Sequence, residues 1–459
     1  MSFVSRILGR IAPHANSSIA QFSHVGGFRR SIDGATGGRR GNPIAVFGDV
    51  NTEVSASAEL VARRARYLAK NNPHISNGVA NWASYVCGTG ARPAPRNLEA
   101  DSARDLVSTF DLWAEHADYD GRMDLWGLQG QMVATMYVSG EALAILHDTA
   151  DGLKIQVLPP ELLDRSKTTS LRGQAHIHSG VEFDAAGQRV AYWILPDRAE
   201  TSFTTAAPSV RIDARNVLHV FAGEPGQVRG LSHLAPVILT ASELDALQDA
   251  LLVSAKMAAL HAGFIKSHTE IGDDLGWSGE TAFEPGTLTC LPANADVSFN
   301  SPEQLKDAPA FLKHNLQAIA AGLGIPVHLL DGDLSDANYS SLRAGMLAFK
   351  RRVGAVQYGT LVPQMLRPVW QRWLAREVLE NRISSDAIIG CDWMFPRFEM
   401  IDPQKDIAAM REAVNAGFAS RSQTIAELGW NVADIDAERS ADAVREKDLG
   451  LMGGTVDAA

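Results

Sequence analysis

The sequence has only 3 cysteines in 459 residues, Cys87, Cys290 and Cys391, spaced about a hundred or more positions apart. No C-x-x-C pair exists, so neither a zinc knuckle nor a dithiol redox centre has its ligands, and a reducing compartment suffices. No stretch approaches the roughly 18 consecutive apolar residues that span a bilayer. The N-terminal MSFVSRILGRIAPHANSSIA carries Arg6 and Arg10, but its apolar runs are too short for a signal-peptide core. A soluble cytoplasmic protein is the expectation. Enzyme signatures are missing too. There is no G-x-x-x-x-G-K-[ST] loop to cradle phosphates, no G-x-S-x-G elbow, no H-E-x-x-H and no Gly-rich dinucleotide fingerprint.

A basic surplus is absent as well: the net charge is -11 and the pI near 5.6. Proteins that hold DNA tightly neutralise phosphates with Lys and Arg, so a conventional DNA-binding protein is disfavoured. The average hides an uneven distribution. Residues 1 to 50 carry six arginines against Asp33 and Asp49, and residues 339 to 382 carry eight basic residues against Glu377 and Glu380. Residues 401 to 459 reverse the balance, with eleven acids and six bases.

What is present is enough apolar content, 46%, to bury a core and divide into a few domains. Residues 1 to 57, rich in Gly, Ser and Asn from about position 14, read as an extended arm. AELVARRARYLAKNN has helical apolar spacing and stops at Asn72-Pro73; a second helix runs from His74 to Val86. Helical pattern from Leu106 to Met136 passes into the turn and strand of YVSGEALAIL. Residues 153 to 222 alternate in short β-branched runs and predict a small antiparallel sheet. A helix of about thirty residues follows Gly230, with Pro236 in its first turns, where proline is tolerated. After a Gly- and Pro-rich break containing the strand-like GTLTCLP, helices are expected from Pro302 to Leu323 and from Tyr339 to Leu379, the latter kinked by Pro363 and Pro368.

Three constellations invite chemistry. His176-x-His178 places two imidazoles on one strand face, without a further ligand nearby. Asp331, Asp333 and Asp336 resemble the start of a calcium loop but lack its glycine at the sixth position and its glutamate at the twelfth, so a solvated turn is the simpler reading. Asp245 and Asp249 lie one turn apart on a helix, where solvent or a channel wall explains them better than an acid/base pair. No catalytic, cofactor or metal residue is assigned.

Several strings, in order, resemble the lambda-type phage portal family: ARRARYLAKNNPHISNGVANWASYVCGTGARPAP, then SGVEFDAAGQRVAYWILP with VLHVFAGEPGQVRGLSHLAPVI, then LGIPVHLLDGDLSDANYSSLRAGMLAFKRRVGAVQYGTLVPQMLRPVWQRWL. The resemblance spans about 63 to 410 and departs at Met400, where the family carries a tryptophan shortly before its D-P pair. It implies an α+β portal fold with wing, stem, clip and crown regions, long stem and tunnel helices, and small β-rich wing and clip segments. The wing would be 58 to 230, the stem helices 231 to 263 and 302 to 323, the clip 264 to 301 and the tunnel loop 324 to 338. A long helix returning to the wing would occupy 339 to 401, and the crown 402 to 459.

The resemblance further implies a non-enzymatic ring subunit, commonly one of twelve, at the capsid vertex of a virion assembled in the host cytoplasm. Its partners would be the terminase large subunit, a head-tail connector, the major capsid protein or scaffold, and double-stranded DNA passing through, with no membrane. Asp331, Asp333, Asp336 and Asn338 are the candidates for facing DNA. Arg343, Lys350, Arg351 and Arg352 are candidates for the channel or a subunit interface. Asn338 is placed to cap the following helix. Two other readings stay open: another ring-forming connector or scaffold protein, and a metal-dependent hydrolase using His176 and His178.

Overall fold

Helix α1, Val50–Asn71, opens the described part of a computed structural model, which comprises residues 48–196, 208–259, 263–266, 288–291, 308–335, 338–380, 382–383, 389–398, 402–430 and 432–450. The Asp49 carboxylate accepts the Thr52 amide at 3.0 Å, and this cap starts the helix ahead of the arm boundary expected at 57. Residues 50 to 57 are therefore helical: a good cap with Glu53 in the first turn outweighs their Ser- and Ala-rich composition. Val54, Ala58, Val61, Ala65 and Leu68 recur at helical spacing and are buried.

Asn72 ends α1 and begins α2, Pro73–Cys87, its Oδ1 accepting the Ile75 amide at 2.9 Å. The proline costs nothing at this first position because its missing N–H would have no helical partner. Strand β1 is Arg92–Pro95. The single helical run expected over 106 to 136 is two helices, α3 at Ala100–Ala114 and α4 at Leu125–Ser139. Buried Asp118 separates them by accepting the amides of Asp120, Arg122 and Met123 at 3.1, 2.8 and 3.0 Å, side-chain bonds that compete with helix continuation.

The β-rich region forms two antiparallel sheets, and its first strand lies upstream of residue 153. Strands β2 (Ala142–Thr149), β3 (Gly152–Leu158) and β9 (Val217–Val220) pair in the order β3-β2-β9. Strands β4 (Thr169–Ser170), β5 (His176–His178), β6 (Val181–Phe183), β7 (Arg189–Ile194) and β8 (Val210–Asp213) form a meander.

Helix α5 spans Ile238–Ala259, a shorter element than the expected 231 to 263. Ser232 holds the preceding residues in turns, accepting the Leu234 amide on its hydroxyl and the Ala235 amide on its carbonyl, so Pro236 precedes the helix and does not lie within it. Strands β10 (Gly263–Lys266) and β11 (Leu288–Leu291) pair in parallel, the latter within the strand-like GTLTCLP.

Helix α6 is Ala308–Leu323, and a short helix α7, His328–Asp331, follows. Helix α8 (Tyr339–Val356) continues through a π-helical segment, Gln357–Leu366, into α9 (Arg367–Leu379). Where a kink was expected at Pro363, wider turns absorb the proline, which has no amide to donate. Gln364 of this segment pairs with the backbone of Phe221, accepting its amide at 2.9 Å and donating to its carbonyl at 3.1 Å. Strand β12 (Cys391–Met394) returns to pair with β1.

One apolar core joins α1 to α4, the sheet of β2 and β9, the first turns of α5, and α6 to α9. Its aromatic centre packs Phe110 against Trp370 and Trp373 with centroids 5.3 and 5.0 Å apart. Helices α10 (Pro403–Asn415), α11 (Arg421–Glu427) and α12 (Val432–Asp448) follow; Ile425 is the one buried apolar side chain among their described residues. Among the described residues no helix is long and apolar enough to cross a membrane.

Candidate functional site

The acidic turn is mounted between α6 and α8. Helix α6 ends at Gly324, whose φ of +75° suits a residue without a side chain, and Tyr137 on α4 donates its hydroxyl to the Leu323 carbonyl at 2.7 Å. Helix α7 then closes on Gly332, again left-handed at φ +74°. Asp331 therefore belongs to a helical turn and not to the loop itself. Its Oδ1 accepts the Asp333 amide at 2.9 Å, and Asp333 Oδ1 accepts the Ser335 amide at 2.9 Å.

The bond from Ser335 holds the exposed Asp333 carboxyl below the usual carboxylate range. Lys313 on α6 stands 3.9 Å from Asp333 Oδ2. Asp336 lies outside the described residues. Asn338 caps α8 as expected: its Oδ1 accepts the Ser341 amide at 2.9 Å, and the Ser341 hydroxyl accepts the Asn338 amide at 3.2 Å.

The basic residues of α8 have different surroundings. Arg343 reaches Asp406 on α10 at 3.2 Å, so an acid of the same chain satisfies it. Lys350 stands 6.0 Å over the Phe398 ring. Arg352 folds back over the start of the turn, its Nη1 within 2.6 Å of where a Cβ on Gly324 would sit. Arg351 is exposed. Between Arg343, Met346, Lys350, Phe398 and Met410 lies a groove of about 360 Å³.

A second site was not identified from sequence. Glu141 at the head of β2 is fully buried and accepts Arg229 Nε at 3.0 Å, His219 Nε2 at 3.0 Å, Arg165 Nη2 at 3.2 Å and the Gly230 amide at 2.9 Å. Arg229 Nη1 donates to the Ser179 carbonyl at 2.8 Å, and Arg189 Nη1 stands 3.1 Å from His219 Nδ1. The hub thus ties both sheets to the chain entering α5. Burial alone would raise the Glu141 carboxyl, but the Arg229 charge and the bonds from His219 and Arg229 hold it well below the carboxylate range.

Burial pushes the His219 imidazole down, against the raising effect of Glu141. Packing is equally tight: a Cβ on Gly230 would lie 2.1 Å from the Gly140 carbonyl oxygen. The R-G pair of QVRGLS was visible as a string, yet nothing in it indicates that Glu141, eighty-eight positions away, is its partner.

The remaining candidates have separate partners. His176 stacks on Phe183 at 5.1 Å, while His178 Nε2 lies 3.5 Å from the Ser55 hydroxyl. Among the described residues no group of three or more His, Cys, Asp or Glu could hold a metal. Asp245 is half-buried: it accepts Asn72 Nδ2 at 2.8 Å and fastens the N-N-P turn to α5. Asp249 is exposed.

Long helices and small sheets make up an α+β fold, mostly helical among the described residues. The family profile described as phage portal protein, lambda family, matches residues 37–357, and the chain belongs to that family. It is accordingly a structural, non-enzymatic virion component whose family forms an oligomeric ring. It is similar to the portal protein of Escherichia phage N15, 22% identical with 84% of each chain covered, and to portal protein B of Escherichia phage lambda, 21% identical with the same coverage. A chain from the neck of an empty gene transfer agent particle aligns at 16% identity and TM-score 0.43, over 80% of this chain and 94% of that one.

Proposed function

We propose that this chain forms the ring through which double-stranded DNA enters and leaves the capsid, and that the turn carrying Asp331 and Asp333 faces the duplex. In this reading 58 to 230 is the wing, α5 and α6 are stem helices, and the region from 264 to 301 is the clip that docks the terminase large subunit and later a head-tail connector. Scaffold or major capsid protein would meet the outside of the ring. The observation that carries the reading is the exposed acidic turn, held at both ends by helices within a segment the family profile covers. Acids facing DNA repel phosphate and leave the duplex free to slide, whereas basic contacts would hold it.

Mass photometry with negative-stain imaging of the purified protein tests the ring. Particles near twelve times 49.4 kDa with a central hole are expected. A monomer or dimer at every concentration and salt, also when the scaffold is supplied, counts against the ring. Asp331→Lys with Asp333→Lys tests the turn: packaging should slow or stall while rings still form, and normal packaging would reject the DNA-facing role.

A further inference from the structure

Helix α7 is a single turn, so its last carbonyls have no amide further along the helix to accept. Two of them are satisfied from another part of the chain. Asn81 on α2 donates Nδ2 to the Leu329 carbonyl at 2.7 Å, and Asn77, one turn earlier, donates to the carbonyls of Leu329 and Leu330 at 3.2 and 3.1 Å. Asn81 also donates to Asn77 Oδ1 at 3.2 Å, which orients both amides. Between them Gly78 lets the backbone of α2 approach closely. A Cβ there would meet Ile325 Cδ1 at 3.0 Å and Leu330 Cδ1 at 3.1 Å.

The N-x-x-x-N spacing with glycine beside the first Asn thus makes one helix face that is both flat and donor-bearing. From the clamped turn the bonding continues outward through Asp331 Oδ1 to the Asp333 amide and Asp333 Oδ1 to the Ser335 amide.

We propose that Asn77 and Asn81 are positioning residues for the acidic turn: by capping α7 they fix where Asp331 and Asp333 stand and transmit any displacement of α2 to them. This deepens the reading of the turn as DNA-facing, but the clamp is measurable without DNA. α2 is otherwise anchored in the main core through Ile75, Trp82 and Val86. The turn therefore follows the body of the subunit and does not move independently of it. The half-buried Asp331 and the exposed Asp333 are carried on a mount that lies outside the turn in sequence.

The test is amide hydrogen exchange on the full-length protein, read on peptides covering Asp331 to Ser335. Asn77→Ala with Asn81→Ala should raise exchange there roughly tenfold, the factor expected when about one net hydrogen bond is lost. Asn71→Ala, which removes an exposed amide bonded to Tyr67 within α1, should leave the turn unchanged. If the double variant fails to fold, Asn81→Asp serves alone, since it has the same shape but cannot donate at neutral pH. Unchanged protection of the turn in a folded variant overturns the proposal.

Counting DNA-filled particles in the same variants separates the two claims. A loosened turn with fewer filled particles supports both. A loosened turn with normal filling keeps the positioning role and counts against the DNA-facing reading.

Discussion

Glu141 and the Asp331–Asp333 pair present the same carboxylate chemistry in opposite settings. Glu141 is fully buried and spends its oxygens on two arginines, a histidine and a backbone amide. Asp331 and Asp333 lie toward solvent and use one oxygen each to accept the next available backbone amide. A buried charge is tolerated only when its partners match it, so Glu141 is committed to the fold. An exposed charge costs little and stays available to whatever approaches. The fold therefore depends on the first site, and function can draw on the second.

The sharpest way to break that contrast is Arg229→Met. It leaves Glu141 ionised in the interior without its main partner, and a loss of about 3–5 kcal/mol is expected in urea denaturation. Replacing Glu141 by Gln in the same chain should recover part of it. A loss of under about 1 kcal/mol from Arg229→Met would show that the hub is not what the fold rests on.

Gly230→Ala comes next, because its Cβ would collide with the Gly140 carbonyl and only backbone can yield. A loss of about 1–3 kcal/mol is expected. Gly354→Ala in α8 meets nothing within 4 Å and should gain about 0.5–1 kcal/mol through helix propensity. The two alanines moving in opposite directions would establish that close approach at the hub, not glycine as such, is the constraint.

The pH dependence follows from the buried imidazoles. His219 and His233 both have pKa values pushed down by burial from an unfolded value of 6.5. The unfolded chain then binds protons that the folded chain refuses, so stability is complete above pH 6.5 and falls as pH drops below it. Each group contributes up to about 1.4 kcal/mol per pH unit in that window. Glu141, depressed in the folded state, acts only at lower pH, losing its contribution as pH falls from the ordinary carboxylate range through its folded value. Denaturation midpoints measured from pH 7.5 to 5.5 should decline, and His219→Gln should flatten part of the slope. A midpoint constant across that range would mean that these histidines take up protons in the folded state.

How much of this could be read from the residues differs between the two sites. The Asn338 cap, the N-N-P turn, the helix end at Leu323 and the strand in GTLTCLP are local features, and short-range rules found them. The loop made by Asp118 was also local but escaped, because its three amide bonds override an apolar period that runs straight through. Glu141 with Arg229, Asp245 with Asn72, and Asn81 with Leu329 are pairings across 88, 173 and 248 positions. No periodicity encodes such partners, and each appears in sequence as an ordinary polar residue. The basic run at Lys350 to Arg352 was legible as a run, but not the separate surroundings of its members, because adjacent residues on a helix point in different directions.

Smaller effects refine the exposed side of the comparison. Asn338→Ala should cost about 1 kcal/mol by removing the cap of α8, with fraying visible as faster amide exchange in its first turn. Asp331→Asn with Asp333→Asn should cost least of all. Asparagine keeps the Oδ1 acceptor that each turn bond requires, so the geometry survives and only charge is removed. Denaturation midpoints should match the parent chain. If they fall, the carboxylate charge is structural, as Glu141's is, and the division between a fold-bearing and a freely presented acid site fails. If they hold while DNA passage changes, the charge of the turn acts on the duplex, and its ion pair with Lys313 adds nothing measurable to stability.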